Sequence, residues 1–183
     1  MRITTSGGRV LMERQGSLEG SDLSGLDLPN AQLGGESLNH ANLSRSTLTS
    51  ANLNNADLSN ACLVDARMEG VSCMEARFDD ANLQGAGLYW ASAYHASFRG
   101  ADLTGADLRG ASLQHDDFTD ARLDRAKLGR DNLDGSTSVQ GANFGGASLQ
   151  GAILDGALYD SETRFPEGFR PGARGMIHRE DRG

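Results

Sequence analysis

Asp102, Asp107, Asp116, Asp117, Asp120 and Asp124 crowd one short stretch of this 183-residue chain, and neighbouring carboxylates are one means of general acid–base work. Such work needs a cleft and two carboxyl groups in opposed environments. Four histidines offer metal chemistry. His40 and His178 stand alone, whereas His95 and His115 are 20 residues apart, as are Met74, Tyr94 and Gln114 in turn. Two imidazoles could share a metal if the fold brings them together, but each needs further ligands, and none of those three neighbours completes a set. Cys62 and Cys73 are the only thiols. The chain has no phosphate-binding glycine loop with a following Lys, no strand–helix dinucleotide fingerprint, no G-x-S-x-G and no H-E-x-x-H. These residues predict no enzyme, no cofactor and no metal site.

The elements that must position these groups follow a period of five. From Leu18 to Leu133 every fifth residue is Leu, Phe or Met, in 22 of 24 positions; Cys73 and Ala93 are the exceptions. Alanine is preferred two residues earlier, as at Ala31, Ala41, Ala51 and Ala126. Five matches neither the helical nor the strand period, and fixed-period self-similarity marks a repeat architecture. A five-residue unit that turns the chain through a right angle buries its central residue and the small one two before it. The other three positions face solvent, which accounts for their Asp, Asn, Ser, Gly, Arg and Gln.

The units read A-[D/N]-L-x-x, most plainly in ANLNN-ADLSN-ACLVD (51–65) and ADLTG-ADLRG-ASLQH (101–115). Over residues 16–159 this pattern resembles the pentapeptide repeat family. The resemblance implies an all-β fold, a right-handed quadrilateral β-helix with four units to each coil of about 20 residues. About seven coils stacked ~4.8 Å apart would make a rod about 34 Å long. The expected organisation is an N-terminal cap over 1–15, the β-helix over 16–159 and a capping tail over 160–183, with the last residues from His178 disordered. That tail also resembles those of cyanobacterial members.

In rows of twenty, one inner column reads Leu18, Leu38, Leu58, Phe78, Phe98, Phe118, and the three rings are expected to stack. Cys73 and Ala93 each precede a Phe and release volume for it, as close packing requires, whereas Leu113 before Phe118 does not. After Leu133 the apolar positions move to Val139, Phe144, Leu149 and Leu154, so the sequence predicts one extra residue within 134–138, a bulge at a corner. Val10, Leu11 and Met12 are expected to cover the first coil, and Phe165, Phe169, Met176 and Ile177 the last. The period places Cys62 outward as an exposed free thiol and Cys73 inward, so no disulfide is expected. It places Glu36, Asp116 and Asp131 at the small inward position, where backbone N–H groups must satisfy them.

Net charge is −8, all of it within residues 1–159; the tail holds five acids and five bases. That balance argues against direct nucleic-acid binding. No apolar run reaches the ~20 residues of a membrane span, and Val10–Met12 is too short for a signal-peptide core, so the expected location is cytoplasmic. Outward aromatics and Met gather at Met74, Tyr89, Trp90, Tyr94 and His95, the composition of a protein-binding hot spot. The functional expectation is a rigid, non-catalytic scaffold for an unknown protein partner, acting as monomer or homodimer. The resemblance implies an alternative. Some members of the family mimic DNA, bind DNA gyrase and protect it from quinolones, and a narrow acidic rod suits that role.

Overall fold

The computed structural model describes residues 2–5, 7–13 and 16–180. Its body is a ladder of parallel bridges, one per pentapeptide, each joining a residue to the one 20 further on: Asp22 to Asn42, Asn42 to Cys62, Cys62 to Asn82 and Asn82 to Asp102. The chain thus winds as a square, right-handed β-helix. Side one carries Leu18 through Phe144, side two Leu23 through Leu149, side three Leu28 through Leu154, and side four Leu33 through Val139. Almost all of these side chains are sealed from solvent, as are the alanines two before them. A rod this narrow has no second layer. Its core is four columns of side chains that meet on the axis.

The corners explain how five residues turn ninety degrees. In every unit except that of Leu128 the N–H of the next unit's small residue bonds the carbonyl of the central residue, as Ala31 does to Leu28 at 3.3 Å, and the residue before that small residue is left-handed (Asn30, φ 57°). That is the type II turn pattern, and Pro29 sits at the position that favours proline. Glycine is not required. Arg45, Glu75, Trp90, His95 and His115 all hold positive φ, because the coil-to-coil hydrogen bonds on both flanks over-determine the turn.

Phe78, Phe98 and Phe118 stack along side one with centroids 4.8 and 4.9 Å apart, and the column continues through Phe144 (4.9 Å) to Phe165 (5.7 Å) in the tail. Strands β1 (Arg2–Thr4) and β2 (Val10–Glu13) form an antiparallel hairpin on the first coil. The plug there is Ile3, fully buried, with Leu11 and Met12 partly buried around it, whereas Val10 is exposed. The pairing slips there, Ile3 facing Met12 and Thr4 facing Val10, so Leu11 is the extra residue and Val10 lies beyond the packed part of the hairpin. At the far end β3 (Leu158–Tyr159) pairs in parallel with β4 (Ile177–His178), and a 3-10 turn, Pro171–Arg174, lies between them. Met176 of the tail is buried against the core; Ile177 is exposed. His178 is therefore part of a strand, and its Nε2 pairs with Glu180 at 3.1 Å. Arg179 donates its N–H to the Tyr159 carbonyl at 2.7 Å, and the rest of the expected disordered segment, 181–183, lies outside the described residues.

The slip after Leu128 is larger than one residue. Lys127 bridges Asp107 below it but Ile153 above it, an offset of 26 instead of 20. A whole pentapeptide and the extra residue leave the wall as a loop, closed at its base by an antiparallel bridge between Arg130 and Ser136. Leu133 is 71% exposed at its tip, and Val139 takes the inward place above Leu113. Asp131 is the physical reason. Its Oδ1 accepts the N–H groups of Leu133 and Gly135 at 2.8 and 2.7 Å, which stabilises a turn the wall cannot contain.

Candidate functional site

The five residues singled out by sequence do not form one patch. Tyr89 lies on side three, Trp90 occupies the next corner with φ 57°, Met74 and Tyr94 lie on side four, and His95 occupies the corner beyond with φ 60°. The corner at Trp90 divides them.

Tyr89 and Trp90 are engaged by the loop. The indole N–H of Trp90 donates to Asp131 Oδ2 at 2.6 Å, and the Tyr89 hydroxyl donates to Asn132 Oδ1. The indole runs up the corner across Gly110, where an added Cβ would fall 2.5 Å from Trp90 Cδ1. Thr137 pins the base of the loop: its buried hydroxyl accepts the Gly110 N–H at 3.0 Å and lies 3.0 Å from the carbonyls of Leu108 and Gly129. Arg109 covers the Tyr89 ring at 5.5 Å and is gripped by both carboxylate oxygens of Asp107, at 2.8 and 2.6 Å. Trp90 keeps half its surface exposed, yet its polar atom is spent inside the chain.

The other half is open. Tyr94 meets His95 edge-on at 4.4 Å and His115 at 5.3 Å, while the two imidazoles stack at 5.1 Å. Met74 and Tyr94 are 39% and 42% exposed. Among the described residues no group of three or more His, Cys, Asp or Glu is placed to hold a metal ion. The histidine pair therefore presents flat aromatic surface.

Charge separates side four from its neighbours. From Gln32 to Gly141 its outward residues are Gln, Gly, Asn, Ser, Met, Tyr and His, and the sole formal charge is Glu75. The remaining sides carry interleaved acids and bases: Arg77 on Asp79, Arg99 on Asp117, Arg122 between Asp102 and Asp124, and Arg109 with Lys127 on Asp107. Burial opposes ionisation of Asp107, but hydrogen bonds from Arg109 prevail and hold its carboxyl below the usual value. Asp117 behaves likewise, with Thr119 and Arg99 outweighing burial. These carboxylates are neutralised where they stand.

The three acids expected inward part ways. Glu36 is half-buried and Asp131 has left with the loop, so Asp116 alone occupies the alanine column, sealed within the rod. Burial pushes its carboxyl well above the ordinary range, against the Ala96 N–H that bonds Oδ1 at 2.8 Å; Oδ2 has no partner. Cys73 is buried, and desolvation followed by the nearby Asp116 charge pushes its thiol up. Cys62 is half-buried and not exposed as the period suggested, because Ser44 of the adjacent coil covers it, Oγ to Sγ 3.0 Å. Both thiols are free.

Residues 37–72, 61–100, 72–110 and 101–137 match the family model for pentapeptide repeats, in 8 copies. No curated protein matches the chain by sequence. Among solved structures, a trypsin-treated form of QnrB1, a plasmid-mediated fluoroquinolone resistance protein, is similar with a TM-score of 0.65 at 20% identity, covering 89% of this chain and 79% of that one. A second trypsin-treated form gives 0.51 at 15% identity, covering 91% and 86%. Rfr23, a pentapeptide repeat protein from the cyanobacterium Cyanothece 51142, is 22% identical over 80% of this chain and 88% of that one, with a TM-score of 0.47. At these identities the likeness is one of fold.

Proposed function

Because the chain belongs to the pentapeptide repeat family, we propose that it acts as a rigid, non-catalytic scaffold that binds a partner protein through side four. The observation that carries this reading is the near absence of charge on that side around Met74, Tyr94, His95 and His115. Aromatic and Met surface on a flat wall can be desolvated cheaply, whereas the ion-paired sides cannot. Two free thiols support a reducing, cytoplasmic setting. The described residues contain no helix long and apolar enough to cross a membrane.

A photo-crosslinking residue at position 94 tests it. Adducts formed in cells should appear from position 94, fail from position 84 on side two, and vanish when Gln114→Glu puts a charge beside the cluster. Equal adducts from both positions would discard side four as the contact.

The fold likeness to QnrB1 and the −8 charge favour a second reading, in which the chain binds DNA gyrase as a DNA mimic. The arginines interleaved with the carboxylates weigh against it, because they break up a continuous acidic face. Gyrase supercoiling, titrated with the protein with and without a quinolone, separates the two readings. Inhibition or drug protection at about micromolar concentration would establish mimicry.

A further inference from the structure

The four sides of the last coil do not end alike. On side one the tail returns as a further rung: Phe144 donates its N–H to the Arg164 carbonyl at 2.7 Å, and Arg164 donates to Ala142 at 2.9 Å. On side four the Ile177 N–H bonds the Ala157 carbonyl at 2.9 Å, and at the preceding corner Gly156 bonds Gly175 at 2.8 Å. Side three keeps only that corner bond, its Ala152 carbonyl and Leu154 N–H having no partner among the described residues, and side two receives no rung at all. The Ala147 carbonyl and the N–H groups of Leu149 and Gly151 have no hydrogen-bond partner among the described residues, although the equivalent three groups are paired in every coil below. One coil shows the pattern: Asp102 donates to Ala81 at 2.9 Å, Leu83 donates to the Asp102 carbonyl at 2.7 Å, and Gly85 donates to Thr104 at 3.0 Å.

The tail stands off this edge instead of covering it. A groove of about 540 Å³ separates them, with Ala147 and Leu149 on the rung side and Glu167, Phe169, Arg170 and Arg174 on the tail side. Leu149, at 7% exposed, is among the least sealed of the core leucines. The volume falls within the ordinary range of ligand sites. Two arginines against one glutamate give the groove a positive rim on a chain of net charge −8.

We propose that this groove takes an extended acidic peptide segment of a partner protein, added as one more rung of side two. Unpaired sheet edges capture strands in this way, with main-chain bonds for affinity and alternate side chains for specificity. By the register of the coils below, an acidic residue donates its N–H to Ala147 and accepts from Leu149. The apolar residue after it packs on Leu149, and the carbonyl one further on accepts from Gly151. The acidic side chain faces outward, toward Arg170 and Arg174. This site is independent of the side-four reading.

The probe is acetyl-Gly-Ala-Asp-Leu-Thr-Gly-amide, the sequence of residues 100–105, titrated into the full ¹⁵N-labelled chain. The amides of Leu149 and Gly151 should shift saturably. N-methylation of the probe's Asp, which blocks the bond to Ala147, should weaken binding about tenfold or more. N-methylation of its Leu, whose N–H points away from the groove, should change affinity less than about twofold. Replacing the probe's Asp by Lys, or Arg170→Glu with Arg174→Glu in the chain, should also weaken binding. No saturable shift, or equal effects of the two methylations, would overturn the added rung. An indifferent response to the Lys probe would overturn the acidic preference. Dimers in sedimentation whose contact protects Leu149 and Gly151 would assign the edge to a second copy instead.

Discussion

The Trp90 indole and the Asp131 carboxylate, 41 residues apart in sequence, meet at 2.6 Å across the corner held by Gly110. The contact ties a looped-out pentapeptide to a wall two coils below it. Asp131 also caps the loop's own turn, and the indole bond holds its carboxyl below the usual value.

Gly110→Ala tests the clasp. Its φ is 70°, and the new methyl would collide with the indole. We expect a loss of about 1–2 kcal/mol from the left-handed position and the displaced ring. Trp90 is the only tryptophan, so its emission should shift to the red and trypsin should cut faster at Arg130.

Phe98 sits mid-column between Phe78 and Phe118. Phe98→Ala should destabilise the rod by about 3–5 kcal/mol in urea unfolding, because the vacated ring space cannot collapse along a hydrogen-bonded wall. Leu133→Ser, at a position the period also marks as central, should change stability by less than about 0.5 kcal/mol. A large effect at Leu133 would contradict its exposure.

Asp116 gives a pH dependence of defined sign. Its carboxyl is raised in the folded state and ordinary, about 3.8, in the unfolded state, so the unfolded chain releases the proton first. Stability contributed by this group is greatest below that value and falls as pH rises toward the folded value. Asp116→Ala, which restores the column's usual residue, should be stabilising by about 1–3 kcal/mol at pH 7 and near neutral at pH 3. Urea midpoints of the two proteins across that range measure it. A constant difference would show that Asp116 ionises in place.

Thiol reactivity should separate the cysteines. Cys73 is sealed within the rod and its thiol is pushed up, so in the folded chain it should stay unreacted while Cys62 is modified slowly under its Ser44 cover. Both should react at once in urea. Fast reaction of both without denaturant would mean that the coils around Cys73 open.

The square coil was legible because burial in this fold repeats at one fixed spacing, so Leu18 to Phe118 announce the wall by position alone. The same regularity misled at Leu133, which keeps the phase of the period but belongs to the loop. What expels it is Asp131, whose capping role depends on Trp90, far away in sequence. Ile3 was missed because the plug at the first coil lies outside the repeat. Tyr89 to His95 looked like a cluster because they are neighbours in sequence, yet a right-angle corner at Trp90 sends them to different sides. The open edge at Leu149 left no trace in composition, since it is set by the path the tail takes.

The long coil also bears on how the chain finds itself. Rungs this alike can zip together one full turn out of phase and still bury every leucine. A mis-threaded solenoid would differ from the correct one only at its ends. The coil of 26 residues removes that degeneracy, because a partner displaced by one turn meets a loop where it needs a wall, and Trp90 loses its acceptor. The irregularity acts as a bookmark that gives an otherwise uniform ladder a single place to start counting.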